Sequence, residues 1–183
     1  MAQLAPLDET SVLSIETLPY ASVQAELRLA LERDANEAFG DVDLVRNTQW
    51  SLPTWTYIAR RGDQPVAHYN LIRREIRLDG RPIRAAGLNN LIAAPNERGC
   101  GQGRRLLEQT QDQWFSRYDV QLGLLLCSDA LVGFYARLGW RPTTAQVVYE
   151  QPTGRCRWPA RCMLYVPSGI REPASIDLQG LPW

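Results

Sequence analysis

The chain of 183 residues contains no lysine; all twenty of its basic residues are arginine. That excludes a Schiff-base lysine and a phosphate-gripping P-loop lysine. There is one histidine, His68, and four cysteines, at 100, 127, 156 and 162, none in a C-x-x-C pair. Zinc ligands at characteristic spacing are missing, so no metal is expected, and the thiols are expected to be reduced. No run of eighteen apolar residues occurs, which argues against a transmembrane helix and a membrane partner. The opening MAQLAPLDETSVL lacks the basic and apolar regions of a signal peptide, so the expected location is cytoplasmic.

What is present suits a globular protein. The composition, 45% hydrophobic and 22% charged, can bury an ordinary core, and the length is that of one domain, expected to span 1–183. Net charge is zero but unevenly spread. Residues 1–50 carry nine acids and three arginines, net −6; residues 51–183 carry eleven acids and seventeen arginines, net +6. One part can hold an anion while another faces a cation. The arginines are dispersed rather than clustered, which argues against a nucleic-acid partner.

Hydrophobic periodicity predicts the elements. VLSIET at 12–17 alternates like a strand, and 21–38 form a helix through Val23, Leu27, Ala30 and Leu31. Gly40 is expected to end that helix, and Asp41 or Asp43 to cap a second. Residues 54–60 and 65–78 read as strands joined at Gly62, and Asp79-Gly80 signals a tight hairpin into a strand at 82–94. A helix is expected at 104–116. QLGLLLC at 121–127 reads as a strand buried on both faces. A short helix capped by Ser128 or Asp129 ends at Gly139, and strands follow near 145–150 and 161–166. The order predicts an α/β fold.

The segment Asn90 to Leu107 carries the chemistry. A strand ends, Arg98-Gly99-Cys100-Gly101-Gln102-Gly103 turns, and a helix begins. The first N–H groups of a helix lack intrahelical partners and favour negative charge, and Arg98, Arg104 and Arg105 add positive charge. This implies phosphate or pyrophosphate binding, or else a mere turn. Arg104 stands where a dinucleotide fingerprint needs glycine, and the Walker pattern is absent.

This loop resembles the R/Q-x-x-G-x-G/A acyl-CoA motif of the GCN5-related N-acetyltransferases. Phe134-Tyr135-Ala136-Arg137-Leu138-Gly139-Trp140 resembles that family's second signature. The element order resembles the family's over about residues 12–166, leaving a C-terminal extension at 167–183. A looser likeness is to the aminoglycoside 2′-N-acetyltransferases, through Glu37-Ala38-Phe39-Gly40 followed by acids, Val66-Ala67-His68, Gln121 to Leu125 and a tail ending in Trp183.

The resemblance implies a mixed, mostly antiparallel sheet with splayed parallel strands, flanked by helices, and acetyl-CoA as donor. Leu91, Ile92 and Ala93 would bond the pantetheine arm as an extra strand. Arg98, Gly99, Gly101, Gln102, Gly103 and Arg104 would hold the pyrophosphate. The backbone N–H of Leu91 would bind the thioester oxygen. Tyr135 would protonate the departing thiolate; on helical spacing alone it equally reads as a core tyrosine. Where family members often place a glutamate base, this chain has Asn89, an amide that accepts no proton at neutral pH. Asn89 would then orient a water or the acceptor. His68 is the alternative base or a structural strand histidine.

The expected acceptor is a primary amine on a small cationic molecule, an aminosugar or polyamine, held by Asp41, Asp43, Asn89 and Trp183. For Asp41 and Asp43 the plainer reading is helix capping. Direct transfer in a ternary complex is expected, and a homodimer is allowed. Two other readings stay open: a transferase on the same scaffold with a different acyl or aminoacyl donor, and a non-catalytic acyl-CoA-binding module.

Overall fold

The computed structural model describes residues 13–167 and 170–183; Val12, where the first strand was expected to begin, lies outside them. The chain opens with β1 (Ser14–Pro19), α1 (Ala25–Phe39) and α2 (Asp43–Arg46). An antiparallel meander follows: β2 (Trp55–Arg61), β3 (Gln64–Leu78) and β4 (Arg81–Ala93). Then come α3 (Gln102–Thr110), α4 (Gln113–Tyr118), β5 (Leu122–Cys127) and α5 (Asp129–Ala136). The described chain ends with β6 (Arg141–Pro142), β7 (Gln146–Gln151), β8 (Gly154–Arg157), β9 (Arg161–Tyr165) and β10 (Ser175–Asp177). This is the expected α/β architecture.

The strands form one mixed sheet in the order β6-β9-β5-β4-β3-β10-β7-β8, with β2 also on β3 and β1 on β2. Asp79 (φ 48°) and Gly80 (φ 79°) both take the left-handed conformation, as a two-residue hairpin turn demands. β5 is buried on both faces, as its apolar run required. Leu125 and Cys127 join a core under α3 and α4 with Tyr69, Leu106 and Trp114. Leu122 and Leu124 join a second core on the other face with Ile72, Ile76, Ile176 and Trp183.

Two expectations about helices are corrected. The single helix at 104–116 is broken at Gln111 and Asp112. The Gln111 side chain donates to Leu138 O (2.9 Å) and accepts from the Trp140 indole (2.9 Å), and Asp112 accepts from Tyr165. These tertiary bonds tie the break to α5 and β9. Asp41 and Asp43 cap nothing: Val42 holds the N-cap position of α2 without a side-chain bond, and Gly40 stays right-handed at φ −61°.

The feature that positions the site lies in β4. It pairs with β5 in parallel over Ala85–Leu88 and Leu122–Leu125, and the pairing stops there although both strands continue. On the β3 side the register shifts between His68↔Ile92 and Asn70↔Asn89, so Tyr69 faces the two residues Asn90 and Leu91. This is a β-bulge, with Asn90 at φ 53°. A left-handed non-glycine residue costs roughly 1 kcal/mol, and asparagine tolerates it best. The bulge turns β4 away from β5 and opens a gap between them.

Candidate active site

The gap leads into a cavity of about 1000 Å³ that runs from the loop before α3 to the segment 50–53. That is the upper end of the range for small-molecule clefts, roomy enough for two substrates side by side.

At one end stands the glycine loop. Gly99 (φ 80°) and Gly101 (φ 77°) are left-handed, and Gly101 is the N-cap of α3. A Cβ on either would meet no atom of the protein within 4 Å, so glycine is required here by backbone conformation and not by internal crowding. The α3 N-terminus thus opens its unpaired amides toward the cavity wall formed by Gly99, Gly101, Gln102, Gly103 and Arg104.

A buried network that sequence reasoning missed holds this loop. Glu97, 8% exposed, accepts both guanidinium nitrogens of Arg61 at 2.5 and 3.1 Å. Gln102 Nε2 donates to the same carboxylate at 3.3 Å. The Arg61 bonds hold the Glu97 carboxyl below its usual pKa. The other amide atom, Gln102 Oε1, is buried without a partner, an acceptor that a donor group in the cavity would satisfy. The signal in the sequence was Glu97 beside the motif arginine; its partner, 36 residues earlier on β2, was not legible. Arg98 itself bonds Glu37 of α1 at 2.9 Å and is not in the wall.

In the middle, the bulge places Asn89, Asn90 and Leu91 in the wall, with Asn70 opposite Asn89 across β3. Thr56 donates to Asn70 Oδ1 at 2.8 Å. Ala93 lines the cavity, whereas Ile92 points into the core, 4% exposed. His68 is buried away from the wall, and desolvation pushes its pKa down to about 4, so it is neutral at physiological pH.

Tyr135 on α5 reaches the same middle region. It is 8% exposed, and burial, with a smaller contribution from Cys127, raises its pKa above the ordinary phenol value. Tyr57 hydrogen-bonds with Tyr118, Tyr69 with Thr110, Tyr20 with Glu32 and Tyr165 with Asp112. Among the described residues none bonds the Tyr135 hydroxyl, which lies in the cavity wall.

At the far end Trp183 is buried, 2% exposed. Its indole donates to Leu124 O at 3.2 Å, its ring lies against Gly87, and Arg74 stands 5.3 Å over it. It lines the cavity. The structure does not bring Asp41 and Asp43 there. Both are exposed and outside the wall, and Asp43 pairs with Arg46 at 2.5 Å.

Comparison with known proteins agrees with this geometry. Residues 31–143 match the family described as the Acetyltransferase (GNAT) domain, and the chain belongs to that family. It is an acyltransferase; the family uses acetyl-CoA or CoA as a substrate. Solved structures share the fold at low identity. ElaA of Escherichia coli matches at TM-score 0.59 and 16% identity, over 84% of this chain and 99% of that one. An acyl-CoA N-acyltransferase of Pseudomonas aeruginosa matches at 0.59 and 17%, over 85% and 100%. The ribosomal-protein-S18-alanine N-acetyltransferase of Escherichia coli matches at 0.53 and 19%, over 88% and 97%.

Proposed function

We propose that the protein transfers the acetyl group of acetyl-CoA to a primary amine of a small molecule, both substrates bound together in the one cavity. The observation that carries this is the unpartnered hydroxyl of Tyr135 in the wall of a cavity that opens where β4 and β5 part. The glycine loop and the α3 N-terminus hold the pyrophosphate, with Arg104 alongside. The edge of β4 at Leu91 and Ala93 pairs with the pantetheine amides. The Leu91 N–H, on the bulge, polarises the thioester oxygen. Tyr135 stays protonated through the neutral range and gives its proton to the sulfur as the C–S bond breaks.

Asn70 and Asn89 orient the acceptor nitrogen, and neither can take its proton. The proton leaves through water in the open cavity, so only the already neutral fraction of the amine reacts. The test is thiol release from acetyl-CoA over a panel of primary amines, with the acetylated product identified by mass. We expect kcat/KM to climb with pH up to the pKa of the amine itself, shifting when an amine of different pKa is used. A profile fixed near pH 6–7 for every amine would place a basic side chain at the nitrogen and remove this route.

A further inference from the structure

Resting on that reading, we infer that the acceptor is a monoamine with an apolar, preferably aromatic body, and that Trp50, Trp158, Val42, Val45 and Leu52 form its seat. β4 runs from Gly87, under Trp183, through the bulge to the glycine loop, about 20 Å from Gly87 to Ala93. Trp183 and the chain tied to it therefore mark the end opposite the donor phosphates. Ser51 is held there, its N–H donating to Pro182 O at 2.8 Å and its hydroxyl to Leu181 O at 2.8 Å. On either side of it Trp50 and Leu52 enter the wall, joined by Val42, Val45 and Trp158.

These indoles present no donor to a ligand. Trp50 Nε1 donates to Val45 O at 3.1 Å and Trp158 Nε1 to Arg161 O at 3.1 Å. Their rings meet edge to face at 6.0 Å. Val42 and Leu52 are left 47% and 81% exposed, a cost that a bound apolar body would remove.

Charge points the same way. The ionised side chains in the wall are Arg28, Glu32, Glu97 and Arg104. Glu97 is neutralised by Arg61, and Arg104 pairs with Glu108 at 2.8 Å beside the donor loop. Arg28 and Glu32 approach within 4.0 Å and cancel, and Glu32 also accepts from Tyr20 at 3.1 Å. Among the described residues, no wall side chain offers an unopposed carboxylate to the extra ammonium groups of a polyamine or the several polar groups of an aminosugar, and stripping their water without partners is costly.

The test compares 2-phenylethylamine, spermidine and glucosamine, by thiol release with acetyl-CoA and by calorimetric binding to the protein alone. Wild type is expected to favour 2-phenylethylamine in kcat/KM by about tenfold or more, the scale set by filling an apolar pocket. Leu52→Asp and Val42→Asp, both at exposed positions that a folded chain tolerates, should each raise its KM about tenfold, weaken its calorimetric binding, and leave acetyl-CoA affinity unchanged. Preference for spermidine or glucosamine, or an unmoved KM in both variants, overturns the inference while amine transfer stands. Binding of 2-phenylethylamine that both variants weaken, without thiol release, supports the seat and sinks the transfer. Neither binding nor thiol release with any amine overturns both.

Discussion

The two ends of the cavity are built by opposite means. The proposed donor end is backbone: left-handed glycines, the amides of one helix and the edge of one strand, all within residues 89–104. The proposed acceptor end is side chains drawn from residues 42–52, 158 and 183, held in place by bonds across more than a hundred residues such as Ser51 to Leu181. Backbone amides recognise a phosphate whatever the surrounding sequence, so a short motif suffices. A seat made of side chains can change its chemistry without disturbing the loop. One scaffold can thus keep its donor and vary its acceptor.

A change that strikes the scaffold should disable both ends together, and the largest effect expected is of this kind. His68 pairs in β3 opposite Ile58 and Ile92 and has its pKa lowered from 6.5 to about 4. Between those values the unfolded chain takes up a proton that the folded chain refuses. Stability is therefore full above pH 6.5 and is lost as pH falls toward 4, by about 3 kcal/mol. Urea unfolding at pH 7 and pH 4 measures this, with His68→Asn expected to remove most of the histidine's share. An unchanged pH slope in that variant would show His68 titrating normally.

At the junction of the two ends, Tyr135→Phe should lower kcat by about 10²-fold with acetyl-CoA affinity nearly unchanged. Wild-type turnover under conditions where chemistry limits the rate would return Tyr135 to a packing role. At the proposed donor end alone, Gly101→Val puts a β-branched residue at φ 77° and a side chain into the proposed pyrophosphate cradle. Acetyl-CoA affinity, measured by calorimetry, should weaken about tenfold, with little effect on how the acceptor amine binds.

The acceptor end has its own lever. A Cβ on Gly87 would fall 2.2 Å from the Trp183 ring. Gly87→Ala should cost about 1–3 kcal/mol in thermal unfolding and raise acceptor KM several-fold, since the displaced tail frees Ser51. Trp183→Ala alone should cost more than this, and in that background Gly87→Ala should cost little further, which separates crowding from the loss of packing. The smallest effect is expected from Asp41→Asn with Asp43→Asn, less than about twofold in KM for any amine, as both lie outside the wall. A large rise with spermidine would reinstate those acids as the holders of a cationic acceptor.

Much of the fold around the glycine loop was legible because its physics is local. Asp79-Gly80 had to be a left-handed turn, QLGLLLC had to be buried on both faces, and three glycines after a strand marked a turn into a helix. Other parts were not. Asn90 carries no mark that it will bulge, since its φ of 53° follows from the mismatch of β3 and β4 around Tyr69. The break at Gln111 depends on Leu138 and Trp140, and β10 is three residues that read as a strand only once β3 and β7 stand on either side.

The sequence by itself determined the α/β order of the main elements, the left-handed hairpin at Asp79-Gly80 and the glycine turn ahead of α3, because each depends on neighbours a few positions away. Only the tertiary structure decided that Arg61 holds Glu97 and that Tyr135 keeps a free hydroxyl. It also decided that Trp183 lies on Gly87 while Asp41 and Asp43 stay in solvent. These are contacts between distant segments, and they exist only after burial of the two cores has set which side chains meet.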